Sequence, residues 1–177
     1  QAAKVSAAGI FRNSGQVCVA GSRLLVERSI HDDFVAALCT AAEAFRVGDP
    51  LDLGSQIGAV NSERQLAQNL QFVTDAEAEG AERRTGGIRV LTETGGYYMA
   101  PTVMTKVAPT HKLARNEVFG PVLAVTAFET EAEAIQLANG TDFGLASGLW
   151  TANLSRAHLM VRAIRAYFEV TGYLIGF

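Results

Sequence analysis

Apolar residues along this chain of 177 residues fall into two spacings, short unbroken runs and recurrences every three or four positions, and the two spacings alternate. Residues 2–8 are small and helix-tolerant, which predicts a helix leading into the segment 11–21. Residues 23–27 follow as a short strand whose centre, Leu24-Leu25-Val26, is continuously apolar, the pattern of a strand buried on both faces. Between residues 31 and 45, Phe34, Val35, Leu38, Cys39, Ala42 and Phe45 recur at helical steps, so an amphipathic helix carries Cys39 on its core stripe. Val47-Gly48-Asp49-Pro50 breaks this period, because proline restricts itself and its predecessor to extended backbone, and a loop runs on to Gly58. A second helix starts at Ser62, with Gln65 as the other half of a capping box, and turns Leu66, Leu70, Val73 and Ala76 inward until Gly80 ends it.

From 82 to 107 the pattern is mixed, with extended pieces around Ile88-Arg89-Val90-Leu91 and Thr102-Val103-Met104 between glycine pairs. Residues 122–128 read as a strongly apolar strand. Thr130 and Glu133 form another capping box, opening a helix with Ile135, Leu137 and Ala138 that Asn139-Gly140 stops. Residues 145–150 give a third strand. A last helix from about Asn153 shows Leu154, Ala157, Val161 and Ile164 on one face, and 168–175 is a final extended piece. Strands alternating with helices predict an α/β fold, an open, mostly parallel sheet with helices on both faces and right-handed crossovers. No repeat, low-complexity stretch or linker divides residues 1–177, which are expected to form a single domain.

Composition adds exclusions. A hydrophobic content of 49% can supply a core at a length that buries roughly 70% of the unfolded surface. The net charge of −3 comes from interspersed signs, and Arg83-Arg84 is the sole cationic pair, so no nucleic-acid face is expected. Membrane insertion and export are not expected either, since no apolar run nears the roughly 20 residues of a span and residues 1–4 lack a signal-peptide layout. The expected location is cytoplasmic. Cys18 and Cys39 form no Cys-x-x-Cys, and no histidine pair stands at ligand spacing, which predicts reduced thiols and no metal site. No Gly-x-Gly-x-x-Gly turn for a dinucleotide occurs anywhere.

Candidate chemistry centres on Phe11-Arg12-Asn13-Ser14-Gly15-Gln16-Val17-Cys18-Val19-Ala20-Gly21. Glycines three positions to either side of Cys18 let backbone or ligand atoms approach the sulfur. Asn13 and Gln16 would add polar groups near it, and Val17 and Val19 an apolar collar. Spacing alone leaves two readings open, a presented nucleophile and a buried structural cysteine. Cys39, on a helix stripe, is read as structural.

This segment resembles the cysteine motif of the aldehyde dehydrogenase superfamily: Phe, three residues, Gly-Gln, one residue, Cys, one residue, Ala-Gly, with every fixed position present. Glu117-Val118-Phe119-Gly120-Pro121-Val122 is similar to the family's cofactor-facing turn, and Asn139-Gly140-Thr141-Asp142-Phe143-Gly144-Leu145-Ala146-Ser147-Gly148-Leu149-Trp150 to its late strand motif. The resemblance runs from residue 1 to about 166. It implies that the Cys18 thiolate attacks an aldehyde, that its backbone N–H forms half of an oxyanion site, that Glu117 holds the nicotinamide ribose of NAD or NADP, and that Phe119 packs beside the nicotinamide ring. It also implies that a cofactor-binding domain, an oxyanion asparagine and a glutamate base precede this motif in a homo-oligomeric parent. The chain is therefore expected to be a fragment that binds NAD or NADP weakly or not at all and is inactive alone as a dehydrogenase. After Ala166, Tyr167 and Gly172 depart from the family's pattern. Two alternatives stay open: a cofactor-independent thiol esterase or hydrolase pairing Cys18 with His31, His111 or His158, and an inactive scaffold domain.

Overall fold

The architecture follows from two apolar strands with no polar face. In the computed structural model, which describes residues 1–165 and the backbone of the strand at 172–175, β1 (Arg23–Glu27) and β6 (Val122–Phe128) lie side by side in parallel register, Leu24 opposite Val125 and Leu25 opposite Thr126. Alternation along these strands divides the core. Leu24, Val26, Leu123 and Val125 face α1 (Ala2–Phe11) and α2 (His31–Glu43). Val122 and Ala124 face α3 (Glu63–Ala78) and the short α4 (Lys112–Arg115), while Leu25 and Phe128 meet α5 (Glu131–Ala138) and α6 (Leu154–Ala163). Both faces of the sheet are thus covered, as expected of strands that read as apolar runs.

The sheet includes four further strands: β2 (Glu82–Thr85), β5 (Thr102–Thr105), β7 (Ser147–Trp150) and β8 (Gly172–Ile175), in the order β2-β5-β6-β1-β8-β7. Every pair is parallel except β2 with β5, which run antiparallel at one edge. A second ladder joins β3 (Arg89–Val90) to β4 (Tyr98–Met99). Among the described residues, no helix is long and apolar enough to cross a membrane.

Several sequence expectations need correction. Glu82-Arg83-Arg84-Thr85 has no apolar signal, yet forms β2, because an edge strand takes its stability from the β5 ladder and keeps charged side chains in water. Both capping boxes are half-formed. Ser62 Oγ accepts from the Gln65 N–H at 3.2 Å, but Gln65 Nε2 donates to the Val118 carbonyl at 2.9 Å. Thr130 Oγ1 accepts from the Glu133 N–H at 3.2 Å, while the Glu133 carboxylate reaches the N–H of Glu129, one residue earlier than expected. The inward face of α6 is also rotated from the predicted stripe: Met160 is fully buried, whereas Leu154 and Val161 are 73% and 67% exposed. The Asn153 cap on the Arg156 N–H and the Arg156 pair with Glu131 at 2.9 Å accompany this rotation and bring the Met160 side onto Leu25 and Phe128. The divergent stretch that begins at Ala166 lies outside the described residues, apart from the backbone of β8.

Candidate active site

Cys18 is presented by a loop whose backbone is unusual for its residue types. Phe11, fully buried, ends α1, and a single tight turn follows in which Asn13 (φ 55°), Ser14 (φ 56°) and Gly15 (φ 68°) are successively left-handed. Such a conformation costs a non-glycine residue about 1–3 kcal/mol and persists only where the surroundings impose it. Here they do. Ser14 Oγ donates to the Gly58 carbonyl at 2.8 Å, Asn13 Nδ2 donates to the Gln16 carbonyl at 2.9 Å, and Gln16 Oε1 accepts from the Asn61 N–H at 3.0 Å. Asn13 and Gln16, expected beside the sulfur, therefore spend their side chains on fixing the loop.

Gly15 shows why the two motifs need each other. A Cβ there would lie 2.1 Å from the Gly120 carbonyl oxygen, so the cysteine loop rests directly on the turn that follows Glu117. A Cβ on Gly120 would in turn meet the buried Asn69 side-chain amide at 2.1 Å. Glycine is required at both positions by close approach. With Gln65 bonded to Val118, α3 braces the 117–121 turn from behind. Sequence reading missed Ser14, Gln65 and Asn69 in these roles. A signal existed for Asn69, a polar residue three positions after Leu66 on the inward stripe of α3.

Cys18 is exposed, as are Val17 and Val19 beside it, consistent with an apolar collar. Neither its backbone N–H nor its thiol has a hydrogen-bond partner among the described residues. Cys18 lines a cavity of about 240 Å³ whose lining also includes Arg23, Asn116, Glu117, Phe143 and Leu145. The structure thus brings Cys18 and Glu117 to one cavity. Phe119 stands outside that lining, 37% exposed, at a left-handed φ of 54° that turns it away from the core position of Val118. The Glu117 carboxylate has no partner among the described residues.

No histidine lines this cavity. His31 hydrogen-bonds Asp32 and faces a separate cleft beyond the end of β1, His111 Nδ1 accepts from the Ala108 N–H at 3.3 Å, and His158 is exposed on α6. Cys39 is half-buried against the α1–α2 core, and that burial pushes its thiol pKa up; Arg84 opposes the shift and Glu43 adds to it. Among the described residues, no cluster of three acidic, histidine or cysteine side chains could hold a metal ion.

Comparison with known proteins bears on this geometry. The family model described as "Aldehyde dehydrogenase family" matches residues 1–168. A betaine aldehyde dehydrogenase of Cereibacter sphaeroides is 46% identical over 158 residues, which is 89% of this chain and 32% of that protein. Among solved structures, an indole-3-acetaldehyde dehydrogenase in complex with NAD+ superposes with a TM-score of 0.91 at 44% identity, covering 98% of this chain and 34% of that one. A variant of betaine aldehyde dehydrogenase from Staphylococcus aureus, bound to NAD+ and carrying a BME-modified cysteine, gives a TM-score of 0.89 at 34% identity, covering 98% of this chain and 35% of that one. The chain spans about a third of the length of the relatives it matches.

Proposed function

The chain belongs to the aldehyde dehydrogenase family, and from that premise we propose that it carries the nucleophile of an NAD(P)-dependent oxidation of an aldehyde to a carboxylic acid, with Cys18 as that nucleophile. The observation that supports this most directly is the shared cavity: an exposed, unpartnered thiol on a rigidly held loop, and a carboxylate without a partner among the described residues, Glu117, lining the same cavity.

The Cys18 thiolate forms a bond to the aldehyde carbon, and the carbonyl π electrons move to oxygen. The developing alkoxide accepts a hydrogen bond from the Cys18 N–H, which no protein acceptor among the described residues occupies. The residues present fit the nicotinamide end of a cofactor. Both Glu117 oxygens are free to accept from two ribose hydroxyls, and Phe119 keeps its ring exposed instead of in the core. A bound nicotinamide dinucleotide would supply the hydride acceptor that converts the thiohemiacetal on Cys18 to a thioester. The relatives' names extend from betaine aldehyde to indole-3-acetaldehyde, so the proposal ends at the class of aldehyde.

Glu117 is the one carboxylate in the described lining, and the reading assigns it to the ribose. Thioester hydrolysis in this chain alone should therefore lack a base. With p-nitrophenyl acetate, the expected result is a burst of nitrophenol close to one equivalent, then little steady turnover, because acylation needs only the thiolate and part of an oxyanion site. Cys18→Ala should abolish the burst and Cys39→Ala should retain it. Sustained turnover would favour the self-contained hydrolase, for which the cavity offers no histidine. A folded chain with no burst would leave the scaffold reading.

A further inference from the structure

A second cavity, of about 310 Å³, lies where three parallel strands end. The chain leaving β1 brings Arg28 and His31 to it, the chain leaving β5 brings Lys106 and Pro109, and β6 leads into α5, which supplies Glu133 and Leu137. The path of the chain sets its place. After β1 the chain crosses by α2 towards β2, at one edge of the sheet; after β6 it crosses by α5, on the other face, towards β7 at the opposite edge. Adjacent parallel strands whose connections part in this way leave a crevice outside their carboxyl ends, where open α/β sheets bind ligands. Cys18 precedes β1 and Glu117 precedes β6, so their cavity is at the amino ends, about 16 Å away along a strand of five residues.

Three groups in the lining have hydrogen-bonding capacity to spare. Arg28 Nε donates to Glu129 Oε1 at 2.9 Å, and its two terminal nitrogens have no partner among the described residues. Lys106 Nζ uses one of its three donors on Glu82. The His31 side chain is only 12% exposed; its Nδ1 donates to Asp32 Oδ1 at 2.8 Å, and Nε2 has no partner among the described residues. Glu133, the one acid in the lining, has Oε2 committed to the Glu129 N–H at 2.8 Å. Pro109 and Leu137 add apolar surface. Both ion pairs are solvent-exposed, a setting in which a pair contributes about 0–1 kcal/mol, so neither cation is bound tightly to its present partner.

We propose that this crevice is a binding site for a small phosphate monoester. A phosphate offers three terminal oxygens, one each for Arg28, Lys106 and His31, where a carboxylate offers two. Its second ionisation falls near pH 6, so it shares a proton with His31 Nε2 whichever of the two holds it. The organic part of the ester lies against Pro109 and Leu137. The site is separate from the Cys18 cavity and does not depend on the reaction assigned to Cys18.

The test is titration calorimetry of the 177-residue chain with phenyl phosphate, which should show saturable binding at one site per chain. Arg28→Met and Lys106→Met should each weaken that binding by about tenfold, the scale of one hydrogen bond to a charged group. Lys4→Met, on α1 and outside the lining, should leave it unchanged. Benzyl alcohol, which keeps the ring and lacks the anion, should not compete. With phenyl phosphate bound, amide exchange should slow across 28–31 and 106–109 and stay as it was across 15–21. Absence of saturable binding overturns the proposal, and so does unchanged affinity in either crevice variant, a loss in Lys4→Met, or protection of 15–21 in place of the crevice. Competition by benzyl alcohol would reduce the crevice to an apolar pocket and overturn the phosphate assignment. Each crevice variant removes only an exposed ion pair and should fold; if one does not, the other decides.

Discussion

The two thiols are separated by access and by charge cost. Cys18 is exposed on a loop that holds itself open, whereas the thiol of Cys39 sits half-buried in a setting that disfavours its thiolate. Alkylation rate follows thiolate fraction and access. Brief treatment with iodoacetamide at neutral pH, followed by peptide mass mapping, should therefore label Cys18 well before Cys39. Equal labelling would remove the case for a presented nucleophile. The identity of the cysteine was legible from its neighbours, but the cause of its presentation was not. A left-handed Asn13-Ser14-Gly15 turn is fixed by partners at Gly58, Asn61 and Gly120, between 44 and 105 positions away in sequence, and no local pattern encodes such contacts.

Helices show where tertiary ties take over from propensity. α4 is four residues long, too short to persist on its own, and it is pinned by Lys112 Nζ on Asp75 of α3 at 2.5 Å. Hydrogen bonds from Lys112 and then Gln71 hold the Asp75 carboxyl below its ordinary value of 3.8. A carboxylate whose pKa is depressed on folding contributes stability that is present above the unfolded value and lost as pH falls through the folded one. The melting temperature of the wild type should thus drop more than that of Asp75→Asn between about pH 5 and about pH 3, a window set by that linkage. Parallel slopes would mean the α3–α4 tie has no part in acid stability. Long, strongly periodic helices were legible; α4 was not, because its four residues offer barely one helical turn of pattern, and the face of α6 was misassigned because a polar cap and an ion pair accompany its rotation.

At the scale of the molecule, the mostly parallel sheet with helices on both faces could be read because the centre of β1 and most of β6 are unbroken apolar runs, and such a run needs cover on both sides. β2, made of polar residues, could not be read in the same way. The same scale governs cofactor affinity. No dinucleotide glycine turn occurs in the sequence, and under the proposed reading the cavity beside Cys18 has one carboxylate, Glu117, for the nicotinamide end. Titration calorimetry of the 177-residue chain with NAD+ or NADP+ should show binding weaker than micromolar, because no Gly-x-Gly-x-x-Gly turn opens a helix where the pyrophosphate could sit. Micromolar affinity would mean that phosphate contacts exist elsewhere in this chain.

The strand order also sets a timetable for synthesis. β8, at residues 172–175, is made after every other strand of this sheet, yet it sits between β1 and β7. Everything up to Phe128 can assemble β2-β5-β6-β1 while the rest is still being made. Until β8 arrives, the open side of β1 displays unpaired backbone along Leu24-Leu25-Val26, a template for a neighbouring nascent chain, and β7 has no ladder to join. A polypeptide stopped after Arg165 should associate, seen as early elution in size-exclusion chromatography, where the full chain stays dispersed. A monomeric 1–165 that melts cooperatively would show that β1 tolerates a bare edge.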